Sequence, residues 1–197
     1  LRPSGNSGML VSSLSSFEKY QQQTAWTWEH QALVRSRVIA GDKITAESFN
    51  TIRVNQLRTK RNTEKLRDDV AEMRIKMRKH LDKSTKEGKY CLKQASGGIV
   101  DIEFMVQFAV LAWSHKSEAL VQWTDTVRLL ETMSNTDVIS QKQAQQLIEA
   151  YKIFRSAAHD LQLQNQPAEV LLSKFTEQRE AVRLCWQSFL SNHRQED

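Results

Sequence analysis

The stretch that decides the fold is Gly97-Gly98-Ile99-Val100-Asp101-Ile102-Glu103-Phe104, together with the apolar run that follows it to Trp113. Between Ile99 and Trp113 only Asp101, Glu103 and Gln107 are polar, which is too few for a helix with one face in water. We therefore expect a buried central helix over residues 99–115, with other helices packed around it. The predicted fold class is all-α, a helical bundle of about six to eight helices.

Asp101 and Glu103 form an Asp-x-Glu pair, which invites interpretation as a metal site. Residues two apart on a helix lie about 200° apart around its axis, so these carboxylates cannot share a ligand. Asp101 falls on an otherwise apolar face, where it is either a helix-start acid behind a Ser96 N-cap or a functional group. In the functional interpretation, Gly97 and Gly98 let a phosphate or a partner backbone approach the first helical N–H groups, and Asp101 is partly accessible to solvent.

Composition limits the class of protein. The chain has 197 residues and a net charge of +5, which suits one domain with a sizeable core. Pro3 and Pro167 are its only prolines, which favours long helices. Because no uninterrupted apolar span or basic leader occurs, we expect a soluble, cytoplasmic protein without a membrane partner. Cys91 and Cys185 are isolated and the histidines are scattered, so neither a metal site nor a disulfide framework is predicted.

One segment holds the positive charge. Residues 53–93 contain 14 Lys and Arg against 6 Asp and Glu, a net charge of +8, so the rest of the chain carries −3. Such a segment is most often the solvated face of a long helix, but it can also bind nucleic acid. Tyr90 is its only aromatic residue, and it contains no nucleic-acid reading motif. A non-catalytic nucleic-acid-binding module therefore stays the alternative function.

Local patterns predict several other elements. A helix is expected from about Ala25 to Val38, with Trp26 and Trp28 in the core, because paired tryptophans most often pack there. Residues 82–96 are typical of a loop. Apolar stripes at helical spacing predict three more helices. The first starts at Thr63 and has its stripe at Leu66, Val70, Met73 and Met77. The second is long, ends before Pro167 and has its stripe at Ala144, Leu147, Ile148, Tyr151, Phe154, Ala158 and Leu161, and the last has its stripe at Phe175, Val182, Trp186 and Leu190.

Three sets of residues carry a resemblance to a known family. They are Tyr20…Ala25-Trp26-Thr27-Trp28-Glu29-His30-Gln31-Ala32-Leu33…Arg35…Arg37, then Gly97-Gly98-Ile99-Val100-Asp101-Ile102-Glu103-Phe104, and then Tyr151…Arg155…His159…Leu161-Gln162. With Leu1 to Gly5, which also match, they cover nearly the whole chain. The sequence resembles the glutamine synthetase adenylyltransferase family. The motif from Ala25 to His30 resembles that of the C-terminal helical-bundle domain in its adenylylating half.

The resemblance implies an architecture. Members carry two nucleotidyltransferase domains, each followed by a helical bundle; one half removes AMP from glutamine synthetase and the other attaches it. It implies that residues 1–11 are the tail of an upstream nucleotidyltransferase domain, residues 12–192 the helical bundle and residues 193–197 a C-terminal tail. The family's catalytic carboxylates lie upstream of Leu1. The resemblance implies that the parent enzyme uses Mg²⁺ and ATP there. The fragment alone is expected to be inactive and to hold no cofactor.

The resemblance also implies partners and candidate residues. The expected partners are glutamine synthetase, the PII signal protein and the upstream nucleotidyltransferase domain. His159 lies one turn after Arg155, where a histidine is more often a packed side chain than a catalytic base. No catalytic or metal-binding residue is predicted; the candidates facing the active site or a nucleotide are Arg2, Lys93, Gly97, Gly98, Asp101 and Glu103, and those facing a partner are Trp28, Glu29, Arg35, Arg155 and His159.

Overall fold

The structure, a computed structural model, describes residues 11–81 and 88–190. Over these residues it contains eight α-helices, a short 3₁₀ helix at Glu118–Val121 and two short β-strands. The predicted helical bundle is confirmed. The elements are α1 (Leu14–Gln23), α2 (Thr27–Val34), α3 (Lys43–Leu57), α4 (Thr63–Leu81), β1 (Lys89–Cys91), α5 (Ile99–Trp113), α6 (Thr126–Asn135), α7 (Gln141–Leu163), β2 (Glu169–Leu171) and α8 (Thr176–Leu190).

Helix α5 lies at the centre of the bundle. Eleven of its 15 residues are buried, and it contacts α2, α4, α6, α7 and α8. The central helix predicted over residues 99–115 is confirmed, although it ends at Trp113. A helix with so few polar residues is stable only when other helices cover it on every side.

Polar residues mark where the helices begin. A side-chain oxygen before the first turn accepts a hydrogen bond from a backbone N–H three residues later, which satisfies a donor that the helix itself leaves open. These N-cap residues are Ser13, Asp42, Asn62, Asp125 and Ser140. With few prolines and such caps, the chain specifies its helices locally.

The apolar stripe predicted for α4 is confirmed. Leu66 and Val70 are buried, and Met73 and Met77 pack against the core from the edge. The stripe therefore turns α4 toward α5, with which it is in contact. No helix among the described residues is long and apolar enough to cross a membrane.

The structure corrects the loop predicted for residues 82–96. Residues 82–87 lie outside the described residues, and Lys89–Cys91 form strand β1, which pairs antiparallel with β2. Tyr90 lies opposite Val170 in this register. A three-residue strand is too short to show a period-2 pattern, and its partner lies about eighty positions along the chain, so the sequence carried no local signal for it.

The two tryptophans near α2 are a second correction. The helix spans only Thr27–Val34, and Trp26, which precedes it, is 72% exposed, while Trp28 is 40% exposed. The expectation that they pack in the core is therefore wrong. The buried residues of α2 include Glu29 and Gln31, because polar partners inside the bundle satisfy those side chains.

Candidate functional site

Helices α5 and α7 bring a group of polar side chains together. Tyr151, Arg155 and His159 follow one another at four-residue intervals on α7, so they lie near one face of that helix. On α5, Glu103 faces the same region, since its Oε1 accepts a hydrogen bond from the Tyr151 hydroxyl at 3.1 Å. This contact joins the central helix to the stripe that the sequence singled out on α7.

Arg35 completes the contact from a third element. It is the C-cap residue of α2, and its Nη1 lies 2.6 Å from the Glu103 Oε1. The sequence placed Arg35 among residues facing a partner and Glu103 among residues facing the active site. In the structure they form one ion pair, so these two predicted sets meet on one surface.

The Tyr151 hydroxyl is held protonated in this group. Burial is the main cause that raises its pKa above the ordinary value of 10.0. The negative charge of Glu103 raises the pKa further, whereas a hydrogen bond with Thr126 and the positive charges of Arg35 and Arg155 lower it. Tyr151 therefore acts as a hydrogen-bond donor that orients Glu103, not as a base.

A cavity adjoins this group along α7. Its volume is about 320 Å³, and Lys93, Arg155, His159 and Gln162 are among the residues that line it. Within the described part of the chain, no acid pairs with Lys93 or Arg155. We call Arg35, Lys93, Glu103, Tyr151, Arg155 and His159 together the α7 face, which is predominantly positive.

Asp101 does not belong to the α7 face. It is 1% exposed, and its Oδ1 lies 2.6 Å from Nε of Arg74, which is itself fully buried. Nη2 of Arg78 lies 3.1 Å from both carboxylate oxygens. The expectation that Asp101 is partly accessible is therefore wrong, because two arginines and the Gly97 N–H contact its carboxylate inside the bundle. Asp101 lies in the first turn of α5, as the helix-start interpretation predicts, but the N-cap residue is Gly98 instead of Ser96. A role of Asp101 in the parent enzyme stays a prediction.

The two glycines serve the chain's own packing. A Cβ on Gly97 would lie 2.5 Å from the carbonyl oxygen of Arg179, and one on Gly98 would lie 2.7 Å from that of Leu92. The first two N–H groups of α5 donate to the carbonyl oxygens of Leu92 and Lys93, at 2.9 and 3.2 Å. The predicted approach of a phosphate is wrong, since these carbonyls already occupy the helix start. The predicted close approach of a backbone occurs, but within the chain.

Glu29 is also internal. It is 4% exposed, and its carboxylate accepts hydrogen bonds from the Tyr20 hydroxyl at 2.7 Å and from the Trp26 N–H at 3.0 Å. Its prediction as a residue facing a partner is wrong, because it caps the start of α2. Trp28 lies apart from the α7 face, on a cavity between α2 and α4, and its role with a partner stays a prediction. Arg2 lies outside the described residues.

The acids of the described residues do not form a metal site. No three His, Cys, Asp or Glu side chains come together there in a way that could hold a metal ion. Asp101 and Glu103 point to different partners, Arg74 and Arg35, as the helical spacing predicted. Mg²⁺ binds through carboxylates that keep open positions for water or phosphate, which neither acid offers.

Arginines of the basic segment 53–93 stabilise the fold. Arg53 is buried and donates to three backbone carbonyls, and Arg61 donates to carbonyls near the end of α3. Burial lowers the pKa of Arg61 to about 10. Arg58 pairs with Glu118, and Arg67 donates to a carbonyl of α8. Since contacts to phosphates need free guanidinium groups, these arginines do not support the nucleic-acid alternative.

The sequence reasoning missed the partners of Asp101. Leu66, Val70, Arg74 and Arg78 follow one another at four-residue intervals, so both arginines continue the buried row of α4. An arginine on an apolar row of one helix and an aspartate on an apolar face of another are a detectable signal for a buried ion pair. Neither charge by itself indicates the pair.

Two family models and several curated relatives match this chain. Residues 1–52 match the family described as glutamate-ammonia ligase adenylyltransferase, and residues 64–191 match the family described as GlnD PII-uridylyltransferase. A "Bifunctional glutamine synthetase adenylyltransferase/adenylyl-removing enzyme" of Pseudomonas putida is 48% identical over an aligned length of 197 residues that covers 94% of this chain. The enzyme of that name from Nitrosococcus oceani is 45% identical over 192 residues, 98% of this chain.

These matches cover only part of the relatives. The chain spans 20% of the length of each. The similarity nevertheless runs through almost the whole chain and includes the helices that build the α7 face. The chain therefore belongs to the glutamine synthetase adenylyltransferase family, in which it corresponds to about a fifth of the bifunctional enzyme.

Proposed function

We propose that this chain is the helical domain of the adenylylating half of a bifunctional glutamine synthetase adenylyltransferase, and that its α7 face contacts the protein substrate beside the nucleotidyltransferase site. The observation that carries the proposal is the meeting of Arg35, Glu103 and Tyr151 with the cationic side chains that line the adjoining cavity. The names of the relatives support the identity of the substrate, glutamine synthetase.

Charge supports the proposed contact. Glu103 is the only carboxylate of the α7 face, and Arg35 already neutralises it. Lys93 and Arg155 therefore leave the surface positive, which steers it toward an acidic patch on a partner and excludes a basic one. In this proposal the acidic patch belongs to glutamine synthetase.

The chemistry takes place outside this chain in our proposal. Adenylyl transfer from ATP to a protein hydroxyl needs carboxylates that hold Mg²⁺ against the phosphates, and the described residues offer no such cluster. Residues 1–11 then end the upstream nucleotidyltransferase domain, residues 12–192 form the helical domain and residues 193–197 form a tail. The parent enzyme works in the cytoplasm, where ATP and glutamine synthetase are present.

The first experiment separates the domain from the chemistry. The purified 197-residue chain and the parent enzyme are each incubated with glutamine synthetase, Mg²⁺ and labelled ATP, and AMP incorporation is measured. We expect incorporation only with the parent enzyme. Incorporation by the chain alone, at a rate proportional to its concentration, would overturn the proposal.

The second experiment tests the α7 face in the parent enzyme. Arg155→Glu reverses the charge of the cavity wall, and we expect the KM for glutamine synthetase to rise about tenfold while kcat changes little, because the residue binds the substrate without joining the reaction. The matched control is Lys142→Glu, an equal charge change at an exposed position on the same helix but outside the cavity. Equal KM values for the two variants would contradict the proposed contact.

A further inference from the structure

A second cavity lies on another side of the bundle. It has a volume of about 440 Å³ and is bounded by the end of α4, the segment from β1 to α5, and the start of α8. Arg78, Lys79, Arg179 and Arg183 line it. We call it the α4–α8 cavity; it shares no residue with the cavity of the α7 face.

The α4–α8 cavity has an excess of positive charge. Arg78 pairs with the buried Asp101, but Arg74 shares that carboxylate. The Nη1 of Arg183 lies 3.4 Å from the Oε2 of Glu180, an exposed residue on the same helix. Among the described residues no acid pairs with Lys79 or Arg179. Four cations therefore face the cavity with too few carboxylates to neutralise them.

Arg179 is held in place and keeps one donor unused. Its guanidinium carbon lies 3.9 Å from the centre of the Tyr90 ring, and its Nη1 donates to the carbonyl oxygen of Leu172. The residue is only 7% exposed, yet its Nε has no hydrogen-bond partner among residues 11–81 and 88–190. Within the same residues, the Nε of Arg78 is also buried without a partner. An unsatisfied buried donor is destabilising, so two of them beside one cavity point to an acceptor that is supplied from outside.

We propose that the α4–α8 cavity binds a small phosphorylated molecule with two or more negative charges. Guanidinium groups donate paired hydrogen bonds to phosphate oxygens, and three arginines and a lysine line this one cavity. The apolar side chains of Ile75 and Leu172 also line the cavity. This site is independent of the α7 face, so the proposed function does not depend on it.

The test uses the 197-residue chain and pyrophosphate as the probe. Calorimetric titration at constant ionic strength should show one site per chain, and the N–H signal of an arginine Nε should move in the NMR spectrum during the same titration. Succinate, a dicarboxylate, should bind at least about tenfold more weakly if charge density decides recognition. Absence of pyrophosphate binding, or tighter binding of succinate, would overturn the proposal.

A matched pair of variants locates the site. Lys79→Glu reverses the charge of a cavity residue that pairs with no acid in the described part of the chain, and we expect pyrophosphate affinity to fall about tenfold or more. Lys76→Glu makes the same change nearly one turn earlier on α4, outside the cavity, and screening by salt should leave its affinity within about twofold of wild type. Equal weakening by the two variants would show that binding is not in this cavity.

Discussion

The Nε of Arg74 and the Oδ1 of Asp101 lie 2.6 Å apart, with both side chains excluded from solvent. This pair links α4 to the start of α5, and Gln94, Arg78 and the Gly97 N–H complete its hydrogen bonds. Removing one partner of such a pair leaves a buried charge uncompensated. We expect Asp101→Asn to lower the free energy of unfolding by about 3–5 kcal/mol, measured by urea denaturation.

The control for that prediction is an exposed ion pair on α4. Glu72 and Lys76 lie 2.6 Å apart, and both side chains are more than half exposed. Glu72→Gln should therefore change the free energy of unfolding by no more than about 0.5 kcal/mol. Similar losses for Asp101→Asn and Glu72→Gln would contradict a structural role for Asp101.

Phe108 provides a test of the core around the central helix. Its ring is fully buried and meets those of Trp113 and Phe189 edge to face, with centres 5.5 and 6.5 Å away. Phe108→Ala should lower the free energy of unfolding by about 3–5 kcal/mol, because the ring leaves a cavity. Ile44→Ala removes an apolar side chain that is 77% exposed and should stay within about 0.5 kcal/mol of wild type. A midpoint near wild type for Phe108→Ala would contradict the packed core.

Gly97 and Gly88 separate backbone strain from steric contact. The φ angles are +80° and +70°, but only at Gly97 would a Cβ meet a neighbouring atom. Gly88→Ala should lower the free energy of unfolding by about 1–2 kcal/mol, the strain of the left-handed conformation. Gly97→Ala should lower the free energy of unfolding by about 1–3 kcal/mol more than Gly88→Ala does, because the carbonyl oxygen of Arg179 must move. Thermal melts of the two variants measure this difference, and equal melting temperatures would exclude the close approach of α8.

His30 predicts a pH dependence. Burial is the main cause that lowers its pKa below the ordinary value of 6.5, and the positive charge of Arg61 adds to the effect. The hydrogen bond to the Gln21 carbonyl and the charge of Glu29 act in the opposite direction. Below pH 6.5 the unfolded chain therefore binds a proton that the folded chain resists. The free energy of unfolding should fall as the pH decreases from 6.5 toward the folded-state pKa.

The variant His30→Gln isolates this contribution. Chemical denaturation at several pH values between about 5 and 7 gives the slope of stability against pH. Wild type should show a positive slope in this window, and His30→Gln should show a smaller one whatever its absolute stability. Equal slopes would mean that His30 titrates alike in the folded and unfolded chain.

The sequence predicted the helical elements well because their signals are local. Residues 99–113 contain only three polar residues, and residues Leu66, Val70, Met73 and Met77 form an apolar stripe. Each of these signals lies within one helix, where spacing alone decides which side is buried. The family resemblance alone suggested Lys93 as a residue facing the active site or a nucleotide, and Arg155 and His159 as residues facing a partner. Their meeting at one cavity depends on how α7 packs against the start of α5, which no single segment records.

The failures share a physical cause. Asp101 and Glu29 are polar residues buried with partners from other segments, and a sequence shows the charge but not the partner. Considered without its partners, Asp101 suggested a functional site and Glu29 suggested a surface that faces a partner. The role of the arginines in the basic segment was hidden for the same reason, since Arg53 donates its hydrogen bonds to backbone carbonyls of α2 and of the 3₁₀ helix. Long-range polar contacts are the part of this fold that local patterns cannot predict.

The pairing of β1 with β2 has a consequence for the order in which the chain can fold during synthesis. The start of α5 acquires its last neighbours only after residues 169–171 and Arg179 have emerged from the ribosome. At roughly 5–20 residues per second, the apolar central helix then waits roughly 3–13 s after its own completion. During that interval its uncovered surface is a target for chaperones and for aggregation. A nascent chain that stalls after α7 should therefore be captured more strongly than one that includes α8.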